Sequence, residues 1–92
     1  MASDTVRARV LVSGRVQGVY FRQSTAVEAK AAGVAGWVRN LADGNVEAVF
    51  EGSGAAVETM LDYVAAGPAH ANVDSVTVAW EQPEGDLSFS IR

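Results

Sequence analysis

Cysteine is absent from this 92-residue chain, which at once removes disulfides, thiolate metal sites and a cysteine nucleophile. Histidine occurs once, as His70. A metal centre needs several ligands converging, and this one, just past Gly67-Pro68, reads as a surface-loop residue. Leucine and isoleucine are scarce while alanine and valine dominate, so the core must be made of small pieces that approach closely. No apolar run approaches the roughly 20 residues that span a bilayer. Met1-Ala2-Ser3-Asp4 lacks the basic and apolar regions of a signal peptide. These absences predict a cytoplasmic protein without membrane contact. Repeats, low-complexity segments and linkers are also missing. With 49% hydrophobic and 20% charged residues, the chain reads as one globular domain over residues 1–92, and the start at Met1 favours a free-standing protein.

The net charge of −4 is unevenly spread. Residues 1–40 carry six Lys or Arg against two acids, whereas residues 41–92 carry one against nine. A local basic field in an acidic protein suits a compact anion better than a long nucleic acid, which the remaining surface would repel. Folding that interleaves the two halves would average this field away.

Several segments declare their conformation. Val6, Ala8, Val10 and Val12 alternate with Arg7, Arg9 and Leu11, which predicts a half-buried strand ending at Ser13-Gly14. From about Arg22 to Ala32 the composition favours helix, and Gly33 stands in position for a C-cap. Trp37 to Leu41 and Val46 to Glu51 flank an Asp43-Gly44 pair, a hairpin signal. Val57, Met60, Leu61 and Val64 fall at i, i+3, i+4 and i+7, so a second amphipathic helix is expected, stopped by Gly67-Pro68. Val73 to Trp80 forms another strand-like run, Pro83 to Asp86 a turn, and Leu87, Phe89 and Ile91 alternate to the end. The order β-α-β-β-α-β predicts an α+β, ferredoxin-like split βαβ sandwich, with two helices on one face of a four- or five-stranded antiparallel sheet. That architecture serves enzymes, RNA-binding modules, carriers and sensors alike, so function must be read from particular residues.

The informative stretch is Gly14-Arg15-Val16-Gln17-Gly18-Val19-Tyr20-Phe21-Arg22, which links the first strand to the first helix. Two glycines let successive backbone N–H groups turn toward one centre, a helix N-terminus adds unpaired donors, and Arg22 supplies a planar fork that fits phosphate or carboxylate. The spacing is neither G-x-x-x-x-G-K-[ST] nor G-x-G-x-x-G. An anion site without nucleophile or metal remains, so any reaction there proceeds by direct attack of water. Taken alone, Arg22 could equally pair with a surface acid, and Asn40 could be an ordinary residue beside a hairpin. Trp37 and Trp80 read as core or sheet-face packing, and Glu47 and Glu51 as solvated sheet-edge charges rather than a general acid and base.

The residue order resembles the acylphosphatase family. Gly14 to Gly18, Val19, Phe21 and Arg22 look like its phosphate-loop signature, and Gly36-Trp37-Val38-Arg39-Asn40 with Asp43-Gly44-x-Val46 looks like its second one. Ala29, Gly33, Gly67-Pro68-x-x-Ala71-x-Val73 and Phe89-Ser90-Ile91 continue in family order over nearly the whole chain. Ala32 departs from it, since the family more often has leucine there, and this lightens the core without touching the site motifs. The resemblance implies metal-free and cofactor-free hydrolysis of acyl phosphates to a carboxylate and inorganic phosphate. It makes Arg22 the substrate-binding arginine, Asn40 the residue that orients water, and the N–H groups of Arg15, Val16, Gln17, Gly18, Val19 and Tyr20 the phosphate cradle. Partners would then be small acyl phosphates, inorganic phosphate or similar anions, not nucleic acid, and a monomer is expected. A nucleic-acid module with the same element order is disfavoured by the acidic balance and by the lack of clustered aromatics in Val46 to Glu51. A non-catalytic anion sensor, or one part of a larger maturation enzyme, is the other alternative.

Overall fold

The computed structural model describes residues 4–92; the signal-peptide reading of Met1-Ala2-Ser3 lies outside them. The elements are β1 (Thr5–Arg15), α1 (Phe21–Ala32), β2 (Ala35–Asn40), β3 (Val46–Ser53), α2 (Gly54–Ala66), β4 (Asn72–Glu81) and β5 (Phe89–Ile91). They build one five-stranded sheet in the order β4-β1-β3-β2-β5. β1 lies antiparallel between β3 and β4, opposing Ala8 to both Phe50 and Trp80. β2 and β3 form the hairpin expected around Asp43-Gly44.

One pairing differs from the purely antiparallel expectation: β5 runs parallel to β2, with Gly36 opposite Phe89 and Val38 opposite Ile91. The cause is topological. β4 occupies one edge of the sheet and the chain must cross to the other edge before pairing again, so it enters beside β2 in the same direction. The predicted alternation also overreaches, because Leu87 is outside the strand and exposed, and only Phe89 of that run is buried.

The helices cover one face. Ala8, Val10, Val12, Val38, Val46, Ala48 and Phe50 meet Phe21, Ala26 and Ala29 of α1 and Val57, Met60 and Val64 of α2 in one core cluster. Phe50 and Phe89 stack with centroids 5.8 Å apart, which ties the parallel edge to the centre. α1 closes as its spacing predicts: at Gly33 the N–H donates to Lys30 while Val34 donates to Ala29.

The open face is a field of paired charges. Arg9 and Arg39 share Glu47, Arg9 and Arg7 share Glu81, and Arg7 also reaches Glu51, Glu84 and Asp86. Basic residues of the first half and acids of the second thus interleave here and cancel. Glu47 and Glu51 are not solvated edge charges, because β3 is a central strand and Glu51 is buried beside Arg7. Trp37 packs on this face beneath the guanidinium groups of Arg92, Arg39 and Arg9, at 4.7, 5.1 and 5.5 Å. Trp80 is 60% exposed, because it sits on the edge strand beyond the helices' cover. Among the described residues no helix is long and apolar enough to cross a membrane.

Candidate active site

β1 leaves the sheet through an irregularity. Its register with β4 shifts between Ser13 and Gly14, where φ is +121° and an added Cβ would lie 2.2 Å from the Asn72 carbonyl oxygen. Only a residue without a side chain lets the two backbones approach this closely. The chain then turns through Gly18, φ +73°, into Tyr20 at φ 61° and ψ 24°, and α1 begins. Among the described residues, none of the N–H groups of Val16 to Tyr20 donates to another group of the protein. The start of α1 is equally open: no side chain caps it and its first turn holds no acid. At α2, by contrast, the Ser53 hydroxyl oxygen accepts from the Ala56 N–H at 3.2 Å. One helix is closed off and the other presents its donors and partial positive charge to whatever lies in front.

In front of α1 lies a cavity of about 280 Å³, lined by Val16, Gly18, Tyr20, Phe21, Arg22, Gln23 and Asn40. Arg22 and Asn40 come together here from opposite directions, one from the first turn of α1 and the other from the end of β2. Arg22 makes no ion pair among the described residues, unlike Arg7, Arg9 and Arg39. The Asn40 Oδ1 is buried and has no hydrogen-bond partner among the described residues. A buried carbonyl oxygen without a donor costs about 1–3 kcal/mol, and an amide oxygen can accept from a group that enters the cavity. Thr25 Oγ1, on the buried face of α1, is the other orphaned buried oxygen among the described residues.

The remaining predicted residues divide by role. Val16 and Val19 are buried and anchor the loop to the core. Gln17 turns its side chain away from the cavity lining: its Nε2 donates to the carbonyls of Leu41, at 2.8 Å, and Asn45, at 2.9 Å. The loop is thereby bolted to the β2–β3 turn, which closes on itself through Leu41 N–H to Asn45 O at 2.8 Å and through the Asp43 carboxylate. Arg15 is exposed and its side chain is not part of the lining. Phe21 and Gln23 also line the cavity: Phe21 belongs to the loop motif but was given no site role from the sequence, and for Gln23 only its place next to Arg22 was a signal. His70 is exposed in the turn before β4, as its position suggests. Arg92 stacks on Trp37 rather than lining the cavity.

The electrostatic perturbations of carboxylates and arginines lie on the open face of the sheet. Burial alone would push the Glu51 carboxyl upward, but N–H donors from Glu84, Gly85 and Asp86, together with Arg7, hold it below the usual carboxylate range. Glu47 is lowered in the same way, Arg39 and Arg9 outweighing its burial. Glu81 is lowered chiefly by Arg9. Arg7 is desolvated, yet hydrogen bonds with Asp86, Glu51 and Glu81 raise its pKa further. Arg7 and Glu51 pin the segment between β4 and β5, and none of these four groups lines the cavity.

A family model of acylphosphatases matches residues 8–91. An acylphosphatase of Anaeromyxobacter dehalogenans is 58% identical over 91 residues, with 98% of each chain covered. Among solved structures, an acylphosphatase from Bacillus subtilis superposes with a TM-score of 0.91 at 38% identity, covering 95% of this chain and 98% of that one. An acylphosphatase from Coxiella burnetii gives 0.93 at 34% identity, covering 97% and 94%.

Proposed function

The chain belongs to the acylphosphatase family and hydrolyses acyl phosphates, and we propose that its water is aimed by Asn40 at a phosphoryl group held by Arg22 and the loop amides. The observation that carries this reading is the pairing of an uncapped α1 with the orphaned Asn40 oxygen in one cavity. Phosphoryl transfer calls for positioning and charge stabilisation more than for covalent help. The N–H groups of Arg15 to Tyr20 and the Arg22 fork surround the equatorial oxygens. Asn40 accepts one proton of a water, leaving a lone pair directed at phosphorus.

As the new P–O bond forms, the bond from phosphorus to the acyl oxygen breaks and its electron pair leaves with the carboxylate. An amide cannot take the water's proton, so that proton passes to a phosphate oxygen of the substrate. The leaving carboxylate, with a pKa near ~4, departs without protonation, so neither a general acid nor a metal is required. An alkoxide would be a far worse leaving group, which makes acyl phosphates the substrate class. We further propose that the chain works as a single-domain monomer in the cytoplasm, with inorganic phosphate as product and competitive ligand.

The test is hydrolysis in excess EDTA of benzoyl phosphate against glycerol phosphate. Turnover of the first alone is expected. Phosphate binding without turnover would identify an anion sensor instead, and efficient turnover of the alkyl ester would overturn the leaving-group argument.

A further inference from the structure

The phosphoryl group accounts for one end of the substrate; for the other end, the lining residue to consider is Tyr20. It is the one non-glycine residue with positive φ among those described, at φ 61° and ψ 24°. That conformation is costly for a residue with a side chain and costs glycine almost nothing. The backbone task at this point, turning the loop and offering a carbonyl that accepts from Ser24 N–H at 2.9 Å, is one glycine could perform. What tyrosine adds is its ring. The ring does not serve the core, being 75% exposed, and the hydroxyl makes no hydrogen bond among the described residues. It does line the cavity shared by Arg22 and Asn40.

The rest of the lining narrows the ligand. A phosphoryl group fills only part of a cavity of about 280 Å³. Val16 and Phe21 are 1% and 2% exposed and offer little surface, so Tyr20 is the lining residue with apolar surface left to offer an acyl group. Arg22 is the single charged side chain in the lining, and the phosphoryl oxygens occupy it. No other charged side chain of the lining balances a second anionic group at the acyl end. Resting on the acylphosphatase reading, we propose that Tyr20 is the acyl-recognition residue, and that the preferred substrates are acyl phosphates whose acyl group is uncharged and flat or apolar, with aryl groups favoured.

The experiment compares kcat/KM for benzoyl phosphate and acetyl phosphate in wild type, Tyr20→Gly, Tyr20→Asn and Tyr20→Phe. Both substrates share the phosphoryl end, so a disturbance of the cradle cancels in their ratio. Glycine and asparagine tolerate the left-handed backbone, and a thermal melt of each variant checks that it folds. The benzoyl-to-acetyl ratio is expected to fall by roughly fivefold or more in Tyr20→Gly and Tyr20→Asn and to hold within about twofold in Tyr20→Phe. An unchanged ratio in the first two overturns the assignment, as does an equal fall in Tyr20→Phe, which would make the hydroxyl the contact. Failure of the acylphosphatase reading itself is distinct, because wild type would then turn over neither substrate.

Discussion

Gln17 and Leu41 are joined by a hydrogen bond of 2.8 Å that runs from the loop in front of α1 to the residue directly after Asn40. The same Nε2 also donates to Asn45, so one side chain fixes the distance between the two halves of the site. Gln17→Ala removes both bonds while leaving the Gln17 backbone N–H in place. A misplacement of about 1 Å can cost up to 10²-fold in rate, and we expect kcat to fall about tenfold with the inhibition constant of phosphate changed less than threefold. Gln17→Glu sets a carboxylate against two carbonyl oxygens and is expected to be worse. Steady-state kinetics with phosphate as inhibitor measures both numbers; an unchanged kcat in Gln17→Ala would show that the bolt does not position Asn40.

Arg22 and Asn40 are predicted to fail differently. Arg22→Ala removes a charged donor from ground state and transition state alike, so phosphate affinity should drop together with kcat/KM, the latter by about 3 kcal/mol or more. Asn40→Ala should lower kcat strongly and leave the phosphate inhibition constant within about twofold. Weakened phosphate binding in Asn40→Ala would mean that it holds the anion rather than the water.

The ion cluster around Glu51 predicts how stability depends on pH. Glu47, Glu51 and Glu81 are held below their ordinary values in the folded chain. In the unfolded chain they take up protons near pH ~4.3, so below that pH the unfolded state binds more protons and gains ground. Their stabilisation is complete above about pH 5 and is lost as pH falls through the depressed folded values. Thermal melts should show a flat Tm from pH 7 to about 5.5 and a steep decline below about 4.5. Glu51→Gln turns an NH2 group toward the N–H donors of the 84–86 segment and strips a buried partner from Arg7. It is expected to cost about 3 kcal/mol at pH 7 and to make the acid decline shallower. A Glu51→Gln melting curve parallel to wild type would show that Glu51 is not the titrating group.

Gly14 is predicted to be intolerant of any side chain. A Cβ there would meet the Asn72 carbonyl oxygen at 2.2 Å and the Asp74 nitrogen at 2.7 Å, both of them backbone atoms that cannot swing aside. Gly14→Ala is expected to destabilise by about 2 kcal/mol or more, read as a lower urea midpoint at constant slope. A midpoint equal to wild type would mean that β4 yields locally at little cost.

The parts of the fold legible in the sequence are those set by short-range chemistry. α2 announces itself through Val57, Met60, Leu61 and Val64, α1 ends where Gly33 allows it, and the Asp43-Gly44 pair marks a turn that closes as expected. The direction of β5 was not legible, because it depends on where the chain lands after crossing the sheet and not on the alternation of Leu87, Phe89 and Ile91. The partnership of Arg7 with Glu51 was equally hidden, since the two are 44 residues apart and meet only through the β1–β3 register. Arg22 and Asn40 were readable through two motifs whose spacing is specific, yet their meeting is a product of the same register. The left-handed backbone of Tyr20 and the outward reach of Gln17 leave no mark on periodicity, because one is a dihedral angle and the other a choice of rotamer.

β1 is inserted between strands that arrive much later in the chain, with Arg7 pairing to Glu51 on one side and to Glu81 on the other. Apart from the β2–β3 hairpin, the ladder is assembled from non-local contacts, which slows folding relative to a helical bundle of similar size. Neither the loop nor Asn40 has its counterpart nearby until β1 is seated. Turnover during refolding should therefore return late and all at once, which makes catalytic activity a reporter of completed sheet assembly rather than of collapse or helix formation.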